Sequence, residues 1–279
     1  MLASVVAAVL LVAPDAGVTC GGAPCRAFTS AKDAFAQVLA ERPAILAVGE
    51  YHQLEGQPKV PSGVRRFTRE LLPSLKGRAG SLIVETWMVN GRCGEVEKQS
   101  QAAVKQTTKR PDETEDEVTA LLSLSYAMGI ANHILILSCD DYRSMLDGAG
   151  ALDVEKTLLM VREKLEEKAL EVREKGEAGT PDKPLVLFGG ALHNDLHPAK
   201  GDEAYAFGRA LSEASDGGYA ELDLLVPEFV SDDPELLPQP WFQDALALAA
   251  KGKVVLVTPS PGTWRLVFPK STAKSKAKR

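Results

Sequence analysis

The sequence lacks the short motifs that usually announce a chemistry. It has no G-x-S-x-G elbow, P-loop, dinucleotide-binding glycine fingerprint or H-E-x-x-H, so none of those chemistries has motif support. It has no C-x-x-C pair, which argues against a structural zinc site or a thioredoxin-like motif. Without C-x-x-C-H there is no covalent haem attachment either. The apolar run Leu2–Ala13 is too short to span a bilayer as a helix. A basic excess is missing too. The formal net charge is −6, and Lys270, Lys274, Lys276, Lys278 and Arg279 are gathered at one end, so the body is more acidic still. Such a body does not present a nucleic-acid footprint.

What remains is an ordinary globular composition, 45% hydrophobic and 25% charged over 279 residues, enough to bury a full core. No internal repeat or domain linker stands out. The expected organisation is an N-terminal segment 1–25, one α/β domain over 26–269 and a disordered basic tail over 270–279. Leu2–Ala13 has the length of a signal-peptide h-region, which predicts an exported, periplasmic or envelope-associated protein with no membrane span after signal removal. Thr19 before Cys20 makes a poor lipobox. The four cysteines suit an oxidising compartment. Cys20 and Cys25 flank a turn and could close a small loop; Cys93 and Cys139 follow strands and could bridge if those strands are neighbours.

Short apolar runs closed by glycine or a charge read as parallel strands buried on both faces: Ala44–Val48, Ser81–Glu85, His133–Ser138 and Leu185–Phe188. Ala220–Val226 carries Glu221 and Asp223, which predicts an edge strand. Val254–Thr258 and Trp264–Phe268 complete the set, with Pro259–Gly262 as the turn between them. Helices are expected from Thr29 or Ser30 to Glu41, over Val64–Leu75 with a disturbance at Pro73, over Asp153–Lys175, near Glu203–Glu213 and near Trp241–Ala250. A helical excursion in two pieces, broken near Pro111, lies between Glu85 and His133. The alternation predicts an α/β fold with a mainly parallel sheet covered by helices on both faces.

In such sheets ligands bind beyond the carboxyl ends of the strands. Three of those ends carry chemistry: Gly49-Glu50-Tyr51-His52, Glu85, and Gly189-Gly190-Ala191-Leu192-His193. A carboxylate two residues before an imidazole can orient the ring or share a metal with it. Glu85 in a partly desolvated crevice would act as base or ligand. His197 follows His193 by four residues, but Pro198 opposes a helix that would align them. Asp140 and Asp141 end a strand, as metal ligands or helix caps. His133 reads as structural, and Arg65 and Arg66 as an anion contact or a solvated helix face.

This set of motifs resembles the superfamily joining ChaN-type haem-uptake proteins, TraB/Tiki proteins and erythromycin esterases, over Ala44 to about His197. Gly49-Glu50-Tyr51-His52 is similar to the ChaN form, and Gly190-Ala191-Leu192-His193 to the late Gly-x-x-His of the Tiki-like branch. The resemblance implies His52 and Glu85 as base and acidic partner in an esterase-like site, or as metal ligands in a Tiki-like one. No second histidine follows at Gln53–Gly56, a departure from the ChaN pattern, although Tyr51 is an axial ligand type for haem. Two functions stay open. One is an exported hydrolase-like enzyme, of esterase or peptidase type, acting on a small-molecule or peptide substrate. It would use His52, Glu85 and His193, with zinc or manganese on Glu50, His52, Glu85, His193 and Asp140, or without metal. The other is a non-catalytic haem or small-ligand binding protein of the cell envelope, with Tyr51 at the cofactor.

Overall fold

A computed structural model describes residues 18–271. Its strands are β1 (Val18–Cys20), β2 (Ala23–Phe28), β3 (Ile45–Glu50), β4 (Ser81–Val89), β5 (Ala131–Leu137), β6 (Leu185–Gly190), β7 (Tyr219–Leu225), β8 (Val254–Val257) and β9 (Thr263–Val267). They form one mixed, mostly parallel sheet in the order β1-β2-β8-β9-β7-β3-β6-β4-β5. The block β9-β7-β3-β6-β4-β5 is parallel, and β8, β2 and β1 continue it antiparallel. The helices are α1 (Ala31–Ala40), α2 (Gly63–Arg66), α3 (Glu95–Thr108), α4 (Glu113–Ala127), α5 (Cys139–Ser144), α6 (Val154–Glu174), α7 (Ala191–Asn194), α8 (Gly208–Ala214), α9 (Pro227–Val230) and α10 (Phe242–Ala249). No helix among the described residues is long and apolar enough to cross a membrane.

The period-two geometry of a strand explains the unbroken apolar runs. In β3, Leu46 and Val48 join a cluster with Phe35 and Val38 of α1. Ile45 and Ala47, pointing the other way, join Leu165 and Ala169 of α6. Neither set meets water, so no polar alternation is needed. Helix starts follow their caps: Ser30 accepts the Asp33 amide at 3.2 Å and Asp153 that of Lys156 at 3.1 Å, each satisfying an otherwise unpaired N–H.

Several expectations need correction. β7 is no edge: it lies between β9 and β3 and is buried throughout, because Arg265 on β9 pairs with both of its acids. β4 does not stop at Glu85; an irregularity between Val84 and Trp87 carries it on to Val89. Val18–Cys20 forms β1 and Ala23–Cys25 begins β2, so these residues belong to the sheet rather than to a separate N-terminal segment. Val64–Leu75 is not one α-helix. It passes through a π-helical turn, Phe67–Leu71, into a 3₁₀ turn, Leu72–Leu75, since Pro73 has no N–H to continue an α ladder. The helix near Glu203–Glu213 is a 3₁₀ turn, Glu203–Tyr205, followed by α8. The two-piece excursion is α3 and α4. Both disulfides form, Cys20–Cys25 and Cys93–Cys139. The apolar run Leu2–Ala13 and most of the basic tail lie outside the described residues.

Candidate functional site

β3, β6 and β4 are neighbours, so their carboxyl ends converge as expected. Glu50 is buried, and both of its oxygens are engaged. Oε1 stands 3.0 Å from His52 Nδ1 and accepts from Arg110 at 2.5 Å. Oε2 accepts the Val64 amide at 3.0 Å. Burial by itself would raise this carboxyl; the His52 hydrogen bond, Arg110 and the Val64 amide outweigh it and hold it below the ordinary glutamate value. Arg110 arrives from the connection between α3 and α4, where Lys109 takes a left-handed conformation and its carbonyl accepts from Glu55 N–H at 2.8 Å.

Glu85 sits in the β4 irregularity and accepts the Gly190 amide at 2.6 Å. Gly190 is the meeting point. A Cβ there would stand 3.2 Å from His52 Nε2 and 3.6 Å from Glu85 Oε2. Only the missing side chain leaves the space that imidazole and carboxyl both border. With Nδ1–H donated to the Glu50 carboxylate, the Nε2 lone pair faces that space, the tautomer a general base requires.

His193 is placed differently. It lies buried in α7, its Nδ1 2.9 Å from the Tyr205 carbonyl, and its own carbonyl accepts from Phe207 N–H at 2.8 Å. These bonds tie the loop after β6 to the segment before α8. α7 ends at Asn194, so His197 is not on a helix with His193; it turns to the Pro261 carbonyl, 3.3 Å away. Asp140 is exposed and paired with Arg143 beyond β5, at the far side of β6 and β4 from β3, while Asp141 caps α5 reciprocally with Ser138. Capping wins at that strand end. Tyr51 packs against the apolar cluster of Val230, Trp241 and Phe242. Burial, reinforced by Asp223, raises its hydroxyl far above the ordinary phenol value. Arg66 is buried over the Phe268 ring, 4.7 Å from its centroid, rather than solvated; Arg65 is exposed. His133 lies 3.5 Å from Glu177, a structural place.

The donors expected for zinc or manganese therefore do not gather. Among the described residues no three His, Cys, Asp or Glu side chains are grouped to hold a metal. Both Glu50 oxygens are already engaged, His193 faces a carbonyl and Asp140 is remote.

Sequence reasoning missed four residues around this site. Arg110 lies sixty positions from Glu50 with no motif around it. Asn194, Asp223 and Arg265 form a buried network behind the Gly190 loop: Asn194 Nδ2 donates to Asp223 Oδ1 at 3.2 Å, and Arg265 Nε lies 3.2 Å from Asp223 Oδ2. The one available signal was the pair of acids in an apolar strand. Compared with protein-family models, curated proteins and solved structures, the chain matches nothing.

Proposed function

We propose that this chain is a hydrolase-like enzyme of esterase or peptidase type in which His52 activates water. The observation that carries the reading is the Glu50–His52 pair, with Nε2 aimed at the gap over Gly190 beside Glu85. Nε2 takes a proton from water as its oxygen adds to the carbonyl carbon of a neutral ester or amide. The imidazolium so formed is stabilised by Glu50. When the tetrahedral adduct collapses, His52 returns the proton to the leaving oxygen or nitrogen, so no net proton is consumed at the imidazole. Glu85, fixed by the Gly190 amide, borders the same space and orients the water. The resemblance to the erythromycin esterase branch implies His52 as the base with Glu85 as its acidic partner; here Glu50 takes the partner's place, and the chain is proposed as a distant relative of that superfamily. Two disulfides suit an oxidising, exported location.

The test is hydrolysis of p-nitrophenyl acetate by the purified protein. His52→Ala and Glu85→Gln should each lower kcat/KM by about 10²-fold or more. Gly190→Ala keeps the amide donor and an ordinary backbone conformation, φ −68° and ψ 141°, yet fills the gap, so it should lose activity as well. Hydrolysis that survives all three substitutions sinks the assignment.

A further inference from the structure

Three alternate side chains of β7, Tyr219, Glu221 and Asp223, project to one side of the strand and all grip the segment that carries the Gly190 amide. The Tyr219 hydroxyl donates to the Asn194 carbonyl at 2.5 Å. Glu221 Oε2 accepts the Leu196 amide at 2.7 Å. Asp223 Oδ1 accepts from Asn194 Nδ2 at 3.2 Å, and the same nitrogen reaches the Ala47 carbonyl of β3 at 3.3 Å. Arg265 crosses from β9 to hold both acids, its Nη1 on Glu221 and its Nε on Asp223.

The junction has no slack. A Cβ on Gly49 would collide with Asp223 Oδ1 and stand 2.7 Å from Ala191 Cα and 2.8 Å from Asn194 Nδ2. The end of β3, the start of α7 and the middle of β7 thus meet at one point, one residue before Glu50 and one after Gly190. A buried ion pair is poor evidence for stability, because desolvation offsets much of its Coulomb attraction, and its best-attested use is to specify one arrangement over others.

We propose that Asp223, clamped by Arg265, is a positioning residue. Through Asn194 it holds Gly190–Leu196 in place and so keeps the Gly190 amide on Glu85 beside His52. The inference rests on the hydrolase reading for its purpose but is measured separately from it. Native-state hydrogen exchange on the full chain reads it directly. Asn194→Ala leaves every charge of the network in place and should speed exchange at Gly190 and its neighbours by about tenfold, the loss of one net hydrogen bond. Amides of β5, three strands from β3, should be unchanged. Asp223→Ala should act in the same direction; if it fails to fold, Asn194→Ala decides alone. With p-nitrophenyl acetate, kcat should fall about tenfold in Asn194→Ala at unchanged KM. Unchanged exchange at Gly190, or exchange raised equally throughout the sheet, overturns the proposal. Failure of the hydrolase reading shows elsewhere, as hydrolysis that persists in His52→Ala with Asn194 and Asp223 intact.

Discussion

Glu50 and Glu221 are both buried glutamates, yet their surroundings drive them in opposite directions. Burial pushes Glu221 up to about 8, opposed by Arg265 and reinforced by Asp223 and Asp195. Between its ordinary value of 4.5 and about 8 the folded protein holds a proton that the unfolded chain has released. Its contribution to stability is therefore complete below that window and lost as pH rises through it. Glu50, held low, has the reverse sign: its contribution is present above 4.5 and disappears as pH falls through the folded value. Denaturant unfolding at several pH values checks both. Glu221→Gln should flatten the decline toward alkaline pH, an effect on the order of a few kcal/mol, and Glu50→Gln should flatten the acid limb while lowering stability at neutral pH. An unaltered alkaline slope in Glu221→Gln would place the titration on another group. At this scale the sequence was informative about His52, Glu50 and Glu85 because each adjoins a recognisable strand end. It was silent on Arg110, whose partner is chosen by how the α3–α4 excursion folds back.

Among the elements, the strands were the most legible, because a short apolar run with no polar alternation has few other places to go. The boundary of β4 is not legible at the Val84–Trp87 irregularity, where a charged residue marks a break in register rather than the strand's end. The α3–α4 excursion is fastened at its root by Cys93–Cys139, which closes a sequence separation of 46 residues, against 5 for Cys20–Cys25. On chain-entropy grounds the longer loop is worth up to about 4 kcal/mol and the shorter about 2 kcal/mol. Cys93→Ala/Cys139→Ala should therefore lower Tm more than Cys20→Ala/Cys25→Ala, as read by calorimetry. It should also weaken the Arg110–Glu50 contact, since Arg110 lies just beyond the far end of the tethered helix α3. Equal losses from the two pairs would show that loop length does not govern their contributions.

For the whole molecule, one sheet runs through all three apolar clusters, and no strand of it pairs only within a separable unit. Phe67 stacks on Phe188 of β6 with centroids 4.8 Å apart, which joins the α2 region to the parallel block of the sheet. Phe188→Ala should cost about 3–5 kcal/mol and shift a single unfolding transition seen alike by far-ultraviolet dichroism and tryptophan fluorescence. Two separated transitions would mean that the described residues unfold as more than one unit. Global arrangement is also where sequence reading reached its limit. β6 inserts between β3 and β4 although it follows β5 in the chain, and nothing local encodes that order.

The sequence by itself determined the α/β class, the positions of the buried parallel strands, the helix caps and the residues stationed at the strand ends, since these depend on neighbours within a few positions along the chain. Only the tertiary structure decided that Gly190 is where His52 and Glu85 meet, that Arg110 secures Glu50, and that Asp140 and Tyr51 stand apart from them. It also turned an apparent edge strand into the centre of the sheet. Two acids in a strand favour water unless a cation lies opposite, and Arg265 comes to lie opposite only when β9 pairs with β7, a contact between residues 42 and 44 positions apart.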